Sequence, residues 1–350
     1  MNELAFAVVG TSTIADSMVD MIHQCPRARY RGSMSRDAAR AASTIERLGG
    51  TTPYTSIEEV CRDAAVDAVY IASPNALHVD QALACIRAGK HVLVEKPLAP
   101  NERLARLVFD EAAAHGVVAL EAMRSVHDPA YETLRAAVER LGRVRRASLR
   151  FGKYSSRYDE VLAGRQTNIF DARMASGSLM DIGVYCVAAM VHLFGAPEDI
   201  SCTPVLIADA ENEATGGVID GAGTILARYP DKVVELSYSK ISQDLLPCQI
   251  EGELGTVTYS GVSVPSRASV RLRGQAVRGA WTAEAQSTGD ETEDLALAAC
   301  DNNMCYELDD FCACVAGEMD AARYRDITLA SLAIMDEVRR QAGIVFPADR

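Results

Sequence analysis

Short apolar runs alternate with amphipathic stretches over the first third of the chain. The runs LAFAVVG (Leu4–Gly10) and VDAVYIAS (Val66–Ser73) have the length of buried strands and end at small residues. The stretches between such runs have helical periodicity, and several end at glycine, which is common just beyond a helix. The alternation continues to about Met123 and predicts right-handed βαβ units in a parallel, doubly wound Rossmann sheet.

The pattern changes beyond Met123, where a predicted helix from Asp128 to about Leu141 gives way to strand-like segments. These segments follow one another without intervening helices, which favours antiparallel pairing. The polar stretch 275–299, which contains GDETED, is predicted to be mostly loop, with a helical end left open. The predicted strand segments include RVRRASLRFGKYSS, 216–242, 249–262 and 266–273, and the closing helices lie near 304–318 and 326–342.

A length of 350 residues is sufficient for two domains. The change of pattern places the boundary after residue 122. We therefore predict an α/β protein with an N-terminal Rossmann domain over residues 1–122. An α+β domain with an open, mainly antiparallel sheet follows over residues 123–350.

The charge and the apolar content restrict the classes of function. The formal net charge of −13 argues against sequence-independent binding to nucleic acid or to an anionic membrane, which requires a basic surface. We see no apolar run close to the roughly 20 residues of a membrane span and no signal peptide, and we expect a cytoplasmic protein. The ten cysteines match no paired C-x-x-C pattern, so no metal site is predicted.

The turn after the first predicted strand is a candidate pyrophosphate site. In the segment GTSTIA, Gly10 permits a tight turn, and the first helical residues point backbone N–H groups at a bound phosphate. The middle position is Ser12, whose side chain either crowds a phosphate or bonds to it. Gly10, Ser12, Thr13 and Ile14 are the candidate contacts, and an ordinary βα turn is the alternative.

The end of the second strand indicates which dinucleotide is bound. An acid at this place suits the ribose 2′-hydroxyl of NAD, whereas an arginine suits the 2′-phosphate of NADP. The residues here are Ser35 and Arg36, which favour NADP(H) over NAD(H). The alternative is that Arg36 is a solvated residue at a helix start and that Asp37 only caps the helix.

Two further turns follow predicted parallel strands and contribute to the same crevice. Ser73, Pro74 and Asn75 open a helix, where Asn75 is a cap or a ligand contact. His78 lies one turn further on and is equally well explained as helix surface. Glu95 and Lys96 end the strand HVLVE, and charges at such a position are costly unless they are paired or used. We expect Lys96 to contact the substrate and, with its pKa lowered by desolvation, to move a proton.

A second group of candidates lies in SGSLMDIGVY. Asp181 and Tyr185 are four residues apart and share one face of a predicted helix, where an acid and a phenol can orient a hydroxyl and relay its proton. A buried tyrosine bonded to a helix carboxylate is the alternative. Weaker candidates for the wall of the pocket, each of which is equally well explained as structural, are Arg124, Tyr154, Arg157, Asn168 and Phe170.

The motifs GTSTIA, SPNALH, AGKHVLVEKPLAPN and GSLMDIGVYC occur in this order along the chain. In sequence and spacing they resemble the glucose–fructose oxidoreductase / inositol dehydrogenase / MocA (Gfo/Idh/MocA) family of NAD(P)-dependent oxidoreductases. The resemblance covers essentially the whole chain. It implies a Rossmann domain followed by a domain that carries substrate determinants and often an oligomer interface.

The resemblance also implies roles for single residues. Lys96 corresponds to the lysine of the EKP motif, which contacts substrate and nicotinamide ribose, and Asp181 corresponds to the aspartate of the D-x-G stretch. Many members have an acid/base histidine four residues beyond that aspartate, but this chain has Tyr185. This variant is similar to dimeric dihydrodiol dehydrogenases and NADP-linked xylose dehydrogenases, in which tyrosine is the proposed proton donor, and it also favours NADP.

We therefore expect hydride transfer between the nicotinamide and a carbinol or carbonyl carbon of a sugar, polyol or diol. Lys96 and Tyr185 are the expected proton-transfer groups, and Asp181 orients the substrate or Tyr185. The alternative is a non-catalytic NADP-binding sensor that keeps the fold, although retention of all three residues argues against it. An open sheet needs covering, so we expect a homodimer or homotetramer.

Overall fold

The computed structural model describes residues 3–207, 213–276 and 287–350. Its N-terminal part is a five-stranded parallel sheet in the order β2-β1-β3-β4-β5, with helices between the strands. The prediction of a doubly wound Rossmann sheet is confirmed. The strands are β1 (Leu4–Val9), β2 (Ala28–Met34), β3 (Ala68–Ile71), β4 (His91–Glu95) and β5 (Ala119–Ala122), and the helices are α1 (Thr13–Gln24), α2 (Ala38–Leu48), α3 (Ile57–Arg62), α4 (His78–Arg87) and α5 (Glu102–Ala114).

The C-terminal part is built on an eight-stranded sheet in the order β15-β12-β11-β10-β6-β9-β8-β7. Its pairs are antiparallel except for β6 and β9, which run parallel, so the expected mainly antiparallel sheet is confirmed. The strands are β6 (Val144–Gly152), β7 (Asp199–Ile207), β8 (Ile219–Arg228), β9 (Val233–Ser239), β10 (Cys248–Gly252), β11 (Gly255–Ser260), β12 (Arg267–Leu272), β13 (Gln275–Ala276), β14 (Ser287–Thr288) and β15 (Glu291–Leu295), with β13 and β14 forming a separate two-stranded sheet. The helices are α6 (Arg124–His127), α7 (Ala130–Glu139), α8 (Ser156–Leu162), α9 (Val184–Phe194), α10 (Met304–Val315) and α11 (Ala322–Ala342).

Two parts of the C-terminal sheet differ from the sequence prediction. GDETED is not a loop, because Glu291–Leu295 pairs with β12 as the exposed edge strand β15. Strand β7 was not predicted. Residues 277–286 of the expected polar loop lie outside the described residues.

The last two helices return to the Rossmann sheet and hold the two parts together. Phe311 of α10 packs against Phe6 of β1 with ring centroids 5.7 Å apart. Thr328 of α11 donates a 2.9 Å hydrogen bond to the buried carboxyl of Glu121 on β5. Helices of the C-terminal part therefore pack directly on the Rossmann sheet. The predicted division at residues 122 and 123 stays a prediction.

One described helical stretch, Ala172–Phe194, is long and apolar enough to span a membrane by length and composition alone. This stretch differs from the expectation that no apolar run approaches the length of a membrane span. Within the protein, 78% of its most apolar window is buried. The stretch therefore packs as a core helix, which contributes Asp181 and Tyr185 to the site described next.

Candidate active site

Lys96 lies directly beyond the buried strand β4, and neighbouring groups fix the turn that carries it. Glu121 accepts a 2.8 Å hydrogen bond from the backbone N–H of Leu98. The ring of His78 lies between the carbonyls of Pro97, at 3.0 Å, and Ser73, at 2.8 Å. His78 is fully buried, so it positions these two turns and is not surface. These contacts leave the Lys96 side chain pointing across to the C-terminal part.

The Lys96 ammonium is held by Asp181. Lys96 Nζ donates to the Asp181 carbonyl at 2.6 Å and to carboxylate oxygen Oδ1 at 2.9 Å. The other carboxylate oxygen, Oδ2, accepts from Nζ of Lys240, which follows β9. Asp181 thus lies between two ammonium groups, and its side chain is 26% exposed against 13% for Lys96 and 11% for Lys240. The cluster is a fixed arrangement of two positive charges and one negative charge.

The backbone that carries Asp181 begins at a strained glycine beside a buried acid. Residues Leu179–Gly183 form one π-helical turn that runs into α9, a feature often found at functional sites. Asp220 of β8 accepts a 2.6 Å hydrogen bond from the N–H of Leu179. Gly177 has φ +142°, and a Cβ there would lie 2.5 Å from Asp220 Oδ1. Asp220 and Gly177 together set where this helix starts.

Replacing Gly177 by alanine should lower the free energy of unfolding by about 2–4 kcal/mol, because the change adds both a strained φ and a clash. Urea denaturation measures this loss. Gly164→Ala is the matched control, since Gly164 also has a positive φ, +73°, but no atom lies within 4 Å of its added Cβ. An equal loss in the two variants would show that the contact with Asp220 contributes nothing.

The charges of the cluster reinforce one another. Burial by itself would lower the pKa of Lys96, but attraction to Asp181, Tyr185 and Glu95 outweighs it and raises the pKa above its ordinary value. Burial likewise would raise the pKa of Asp181, but Lys96 and Lys240 hold it well below its usual range. The prediction that desolvation lowers the pKa of Lys96 is therefore wrong. Lys96 remains an ammonium group at neutral pH.

Tyr185 lies against the same ammonium. Lys96 Nζ is 5.0 Å from the centroid of the Tyr185 ring, whose other neighbour, Phe151, has its ring centroid 5.7 Å away. Among the described residues no group forms a hydrogen bond with the Tyr185 hydroxyl. Burial raises the pKa of this phenol to about 12, while Lys96 acts in the opposite direction. Lys96 therefore eases loss of the phenol proton, but burial has the larger effect.

Two cavities meet at Lys96 and Asp181. The first, of about 300 Å³, lies against the carboxyl ends of β1, β3 and β4, and the second, of about 490 Å³, lies on the side of the larger sheet. Pockets of this size are typical of small-molecule and cofactor sites. The first is lined by Ser12, Ile14, Ala72, Ser73, Pro74, Asn75, His78, Glu95, Lys96, Asn168, Ile169, Ser176 and Asp181; the second by Lys96, Arg124, Phe151, Lys153, Tyr154, Ser155, Ser156, Asp181, Ile182, Tyr185, Lys240 and Ser263.

The first cavity, called the cofactor cavity below, has features suited to the phosphates of a dinucleotide. Gly10 has φ +114°, and a Cβ there would lie 2.7 Å from the carbonyl of Ala72, so glycine is required for the close approach of β1 and β3. Ser12 precedes α1 without capping it, which leaves first-turn N–H groups and a hydroxyl for an anion. Asn75 does not cap α4, because its side chain donates at 3.0 Å to the carbonyl of Ala175 across the crevice.

Four predicted cofactor contacts lie outside this cavity. Gly10 and Thr13 flank it at the start of α1, and Ser35 and Arg36 lie at the end of β2. The Asp37 carboxylate caps α2 by accepting from the N–H groups of Ala39 and Arg40 at 2.9 and 3.1 Å. Arg36 is exposed, and no described carboxylate pairs with it. The Asp37 carboxylate is thus occupied as a helix cap, while the Arg36 guanidinium is open to solvent.

The predicted substrate residues divide between the two cavities. Arg124 lines the second cavity, where Nη2 donates at 3.0 Å to Asn302 and Nε donates to Asn303. Tyr154 also lines it, and its hydroxyl donates to Asp159 at 2.6 Å. Asn168 lines the cofactor cavity instead. Two expectations fail. Phe170 is fully buried in the core and lines neither cavity, and Arg157 is exposed outside both.

Sequence reasoning missed two lysines of the second cavity. Lys240 and Lys153 come from different parts of the chain, and pairing of the extended segments Lys153–Ser155 and Ser239–Lys240 places them side by side. The available signal was the rarity of lysine in this sequence. Among the described residues, no group of three or more His, Cys, Asp or Glu side chains is arranged to hold a metal ion.

The parallel Rossmann sheet and the two cavities that share Lys96 and Asp181 are typical of a dinucleotide-binding protein with a second ligand site. Residues 4–122 match the family described as "Oxidoreductase family, NAD-binding Rossmann fold", GFO_IDH_MocA, and residues 131–258 match the GFO/IDH/MocA C-terminal domain. The chain belongs to this family. Both the family assignment and the prediction of an NAD(P)-dependent dehydrogenase or reductase are confirmed.

Relatives match over nearly the full chain. The scyllo-inositol 2-dehydrogenase (NADP(+)) IolU of Bacillus subtilis is 33% identical over 99% of both chains. The trans-1,2-dihydrobenzene-1,2-diol dehydrogenase of Sus scrofa is 28% identical, again over 99% of both chains. The solved structure of KijD10, a 3-ketoreductase from Actinomadura kijaniata in complex with NADP and TDP-benzene, superposes with a TM-score of 0.81. It is 22% identical and covers 97% of this chain and 98% of its own.

Proposed function

We propose that this protein transfers a hydride reversibly between NADP(H) and a carbinol or carbonyl carbon of a sugar, polyol or diol. The observation that carries the proposal is the shared wall of the two cavities, where Lys96 and Asp181 face both and the Tyr185 ring lies 5.0 Å from Lys96 Nζ. The nicotinamide, when bound in the cofactor cavity, supplies or accepts the hydride. The named activities of the inositol and dihydrodiol dehydrogenases support this class of substrate.

Lys96 acts in this proposal as a permanent cation. An ammonium held between cofactor and substrate stabilises negative charge that develops on the substrate oxygen during oxidation. Asp181 fixes its position through two hydrogen bonds, so little reorganisation is required when the substrate binds. Lys96 does not exchange the proton, because its pKa is raised.

Tyr185 exchanges the proton with the substrate oxygen. Its phenol gives the proton during carbonyl reduction and takes it during carbinol oxidation, and the nearby Lys96 stabilises the phenolate. Its hydroxyl has no partner among the described residues and lines the cavity that would hold the substrate.

Lys240 keeps this cluster positive. With only Lys96 and Asp181 the two charges would cancel, whereas Lys240 pairs with the second carboxylate oxygen and leaves a net charge of about +1 on the three groups.

We expect Lys240→Met to lower kcat/KM about tenfold, because Asp181 then neutralises the charge of Lys96 that stabilises the developing oxyanion. Lys240→Arg retains the charge and should recover most of the activity. Steady-state rates as a function of pH measure both changes. A Lys240→Met enzyme with the pH profile of the wild type would contradict this role.

The choice of NADP over NAD rests on Arg36, which is exposed and has no carboxylate partner among the described residues, while the Asp37 side chain caps α2. An arginine near the adenosine ribose is suited to a 2′-phosphate. The NADP(+) dependence in the name of the Bacillus subtilis relative supports the choice.

Arg36→Ala should lower kcat/KM for NADP+ by about 10–30-fold, from loss of a charge-assisted hydrogen bond, and leave the value for NAD+ nearly unchanged. Rates with each coenzyme measure the ratio. Arg29→Ala is the control, because Arg29 is exposed on the same strand, β2, at the far end from the turn. Equal losses with both coenzymes would contradict contact with the 2′-phosphate.

A homodimer or homotetramer remains part of the proposal. Val205, Leu226 and Val233 of β7, β8 and β9 are 41–54% exposed on the larger sheet, and a second copy would cover them.

The proposed function is tested by mixing the protein and NADP+ with a panel that includes scyllo-inositol, D-xylose, D-glucose and trans-1,2-dihydrobenzene-1,2-diol. Appearance of NADPH absorbance with at least one of them supports the dehydrogenase. Tight NADPH binding without turnover in either direction with these compounds and their ketones would favour the NADP-binding sensor.

A further inference from the structure

The second cavity, which the proposed function assigns to the substrate, is strongly cationic on an acidic protein. The whole chain has a formal net charge of −13. The cavity, however, is lined by Lys96, Arg124, Lys153 and Lys240 and by a single carboxylate, that of Asp181. Four positive charges and one negative charge leave a formal +3 around a space of about 490 Å³. Neutral hydroxyl groups alone do not need such an excess.

The few lysines of this protein are concentrated in the second cavity. The chain has 35 Lys and Arg residues, of which only five are lysines, at positions 90, 96, 153, 232 and 240. Three of the five line this cavity. Elsewhere the protein places its positive charge almost entirely on arginine. The cavity thus has ammonium groups from separate elements directed to one space.

Within the described part of the chain, two of these cations have no carboxylate partner. Lys153 is exposed, and its side chain forms no hydrogen bond or ion pair with the described residues. Arg124 donates from Nε and Nη2 to the neutral amide oxygens of Asn303 and Asn302, and its Nη1 has no partner among the described residues. Their charges are therefore not compensated in the way that Asp181 compensates Lys96 and Lys240.

The other acids around the cavity do not cancel this excess. Glu95 lines the cofactor cavity and Glu307 is buried, and neither carboxyl lines the second cavity. Asp244 is paired with Arg150 at 2.8 Å. Asp159 accepts the hydrogen bond of the Tyr154 hydroxyl and lies outside the cavity lining.

We infer that the substrate of this site is a polyhydroxy compound that carries an anionic oxygen group, a carboxylate or a phosphate ester, bound by Lys153 and Arg124. The reacting carbinol then lies at Lys96 and Tyr185. This inference rests on the proposed function for the place of the carbinol. The two cations at the anion site act in binding and are separate from the groups that would exchange the proton.

The test compares compounds that share a ring and differ in charge. The holoenzyme is assayed with D-glucose, D-glucuronate and D-glucose 6-phosphate, and with myo-inositol and myo-inositol 1-phosphate. We expect kcat/KM to be at least about tenfold higher for an anionic member than for its neutral partner, as for a charge-assisted hydrogen bond. D-glucuronate tests a carboxylate and the two phosphate esters test a phosphate, so the assays distinguish the two anionic groups.

Variants identify the binding group. Lys153→Met should remove most of the preference for the anion, through an increase in KM for the anionic member of each pair. Lys153→Arg should restore the preference. Lys232→Met is the matched control, because Lys232 pairs with Asp231 on the turn between β8 and β9, outside the cavity. Preference for the neutral members, or an anion preference unchanged in Lys153→Met, would overturn the inference.

Binding measurements distinguish failure of the anion site from failure of the proposed dehydrogenase function. The fluorescence of bound NADPH is titrated with the same five compounds in the wild type and in Lys153→Met. Lys153-dependent binding of an anion without turnover of any compound would support the anion site and count against the dehydrogenase. Turnover of the neutral compounds with no stronger binding of the anions would support the dehydrogenase and overturn the anion site.

Discussion

Lys96→Met should lower kcat about 10³-fold while the affinity for NADPH changes only a few-fold, because the variant loses the cation beside the substrate oxygen. Methionine has nearly the same length, so the shape of both cavity walls is kept. Asp181 keeps Lys240 as a partner and is not left as an unpaired buried charge. The variant should therefore fold, which circular dichroism and NADPH fluorescence both check.

The control for Lys96→Met is Lys232→Met, which removes an identical side chain from an ion pair with Asp231 that lies outside both cavities. Its kcat should equal that of the wild type. Turnover of Lys96→Met within about threefold of the wild type, with coenzyme still bound, would remove Lys96 from the mechanism, since a lost general acid–base or oxyanion contact costs far more.

Tyr185→Phe should lower kcat by about 10²–10³-fold with a small change in KM, since only the hydroxyl is removed. The ring contact with Phe151 and the position over Lys96 do not require that hydroxyl. Stopped-flow measurement of a single turnover, which isolates the chemical step from product release, gives the decrease directly.

The pH dependence of the wild-type rates should show which protonation state of Tyr185 each direction of the reaction requires. Its pKa of about 12 means that the phenol is protonated at neutral pH. Carbinol oxidation requires the deprotonated form, whose fraction rises with pH, so log(kcat/KM) for oxidation should rise up to the limit of enzyme stability. Carbonyl reduction uses the protonated form and should stay level through pH 7–9. The rise should disappear in Tyr185→Phe, and an unchanged slope would assign the titration to another group.

The parallel domain was predictable because each of its strands is a short apolar run between helices of clear period. The same reasoning failed for β15, an edge strand of exposed polar residues whose only strand-like property is its pairing with β12. A local pattern contains no information on pairing with a distant segment. The failure at Phe170 has a related cause, since the sequence does not show on which side of a short turn an aromatic ring lies.

The site residues that lie within local sequence motifs were predictable. Lys96, Asp181 and Tyr185, chosen from two distant motifs, lie together as expected. Lys240 was not found, because only the fold brings the end of β9 against the helical turn of Asp181. The direction of the Lys96 pKa was wrong for the same reason: burial was foreseen, but the geometry of the carboxylate that outweighs it was not.

The central claim is that Lys96 and Tyr185 meet at one substrate oxygen. A crystal structure of the protein with NADPH and the most rapidly oxidised compound of the panel, a complex that cannot react, tests it most directly. The account predicts one carbinol oxygen at hydrogen-bond distance, about 2.6–3.2 Å, from both Lys96 Nζ and the Tyr185 hydroxyl. A carbinol carbon facing the nicotinamide whose oxygen touches neither group would contradict it.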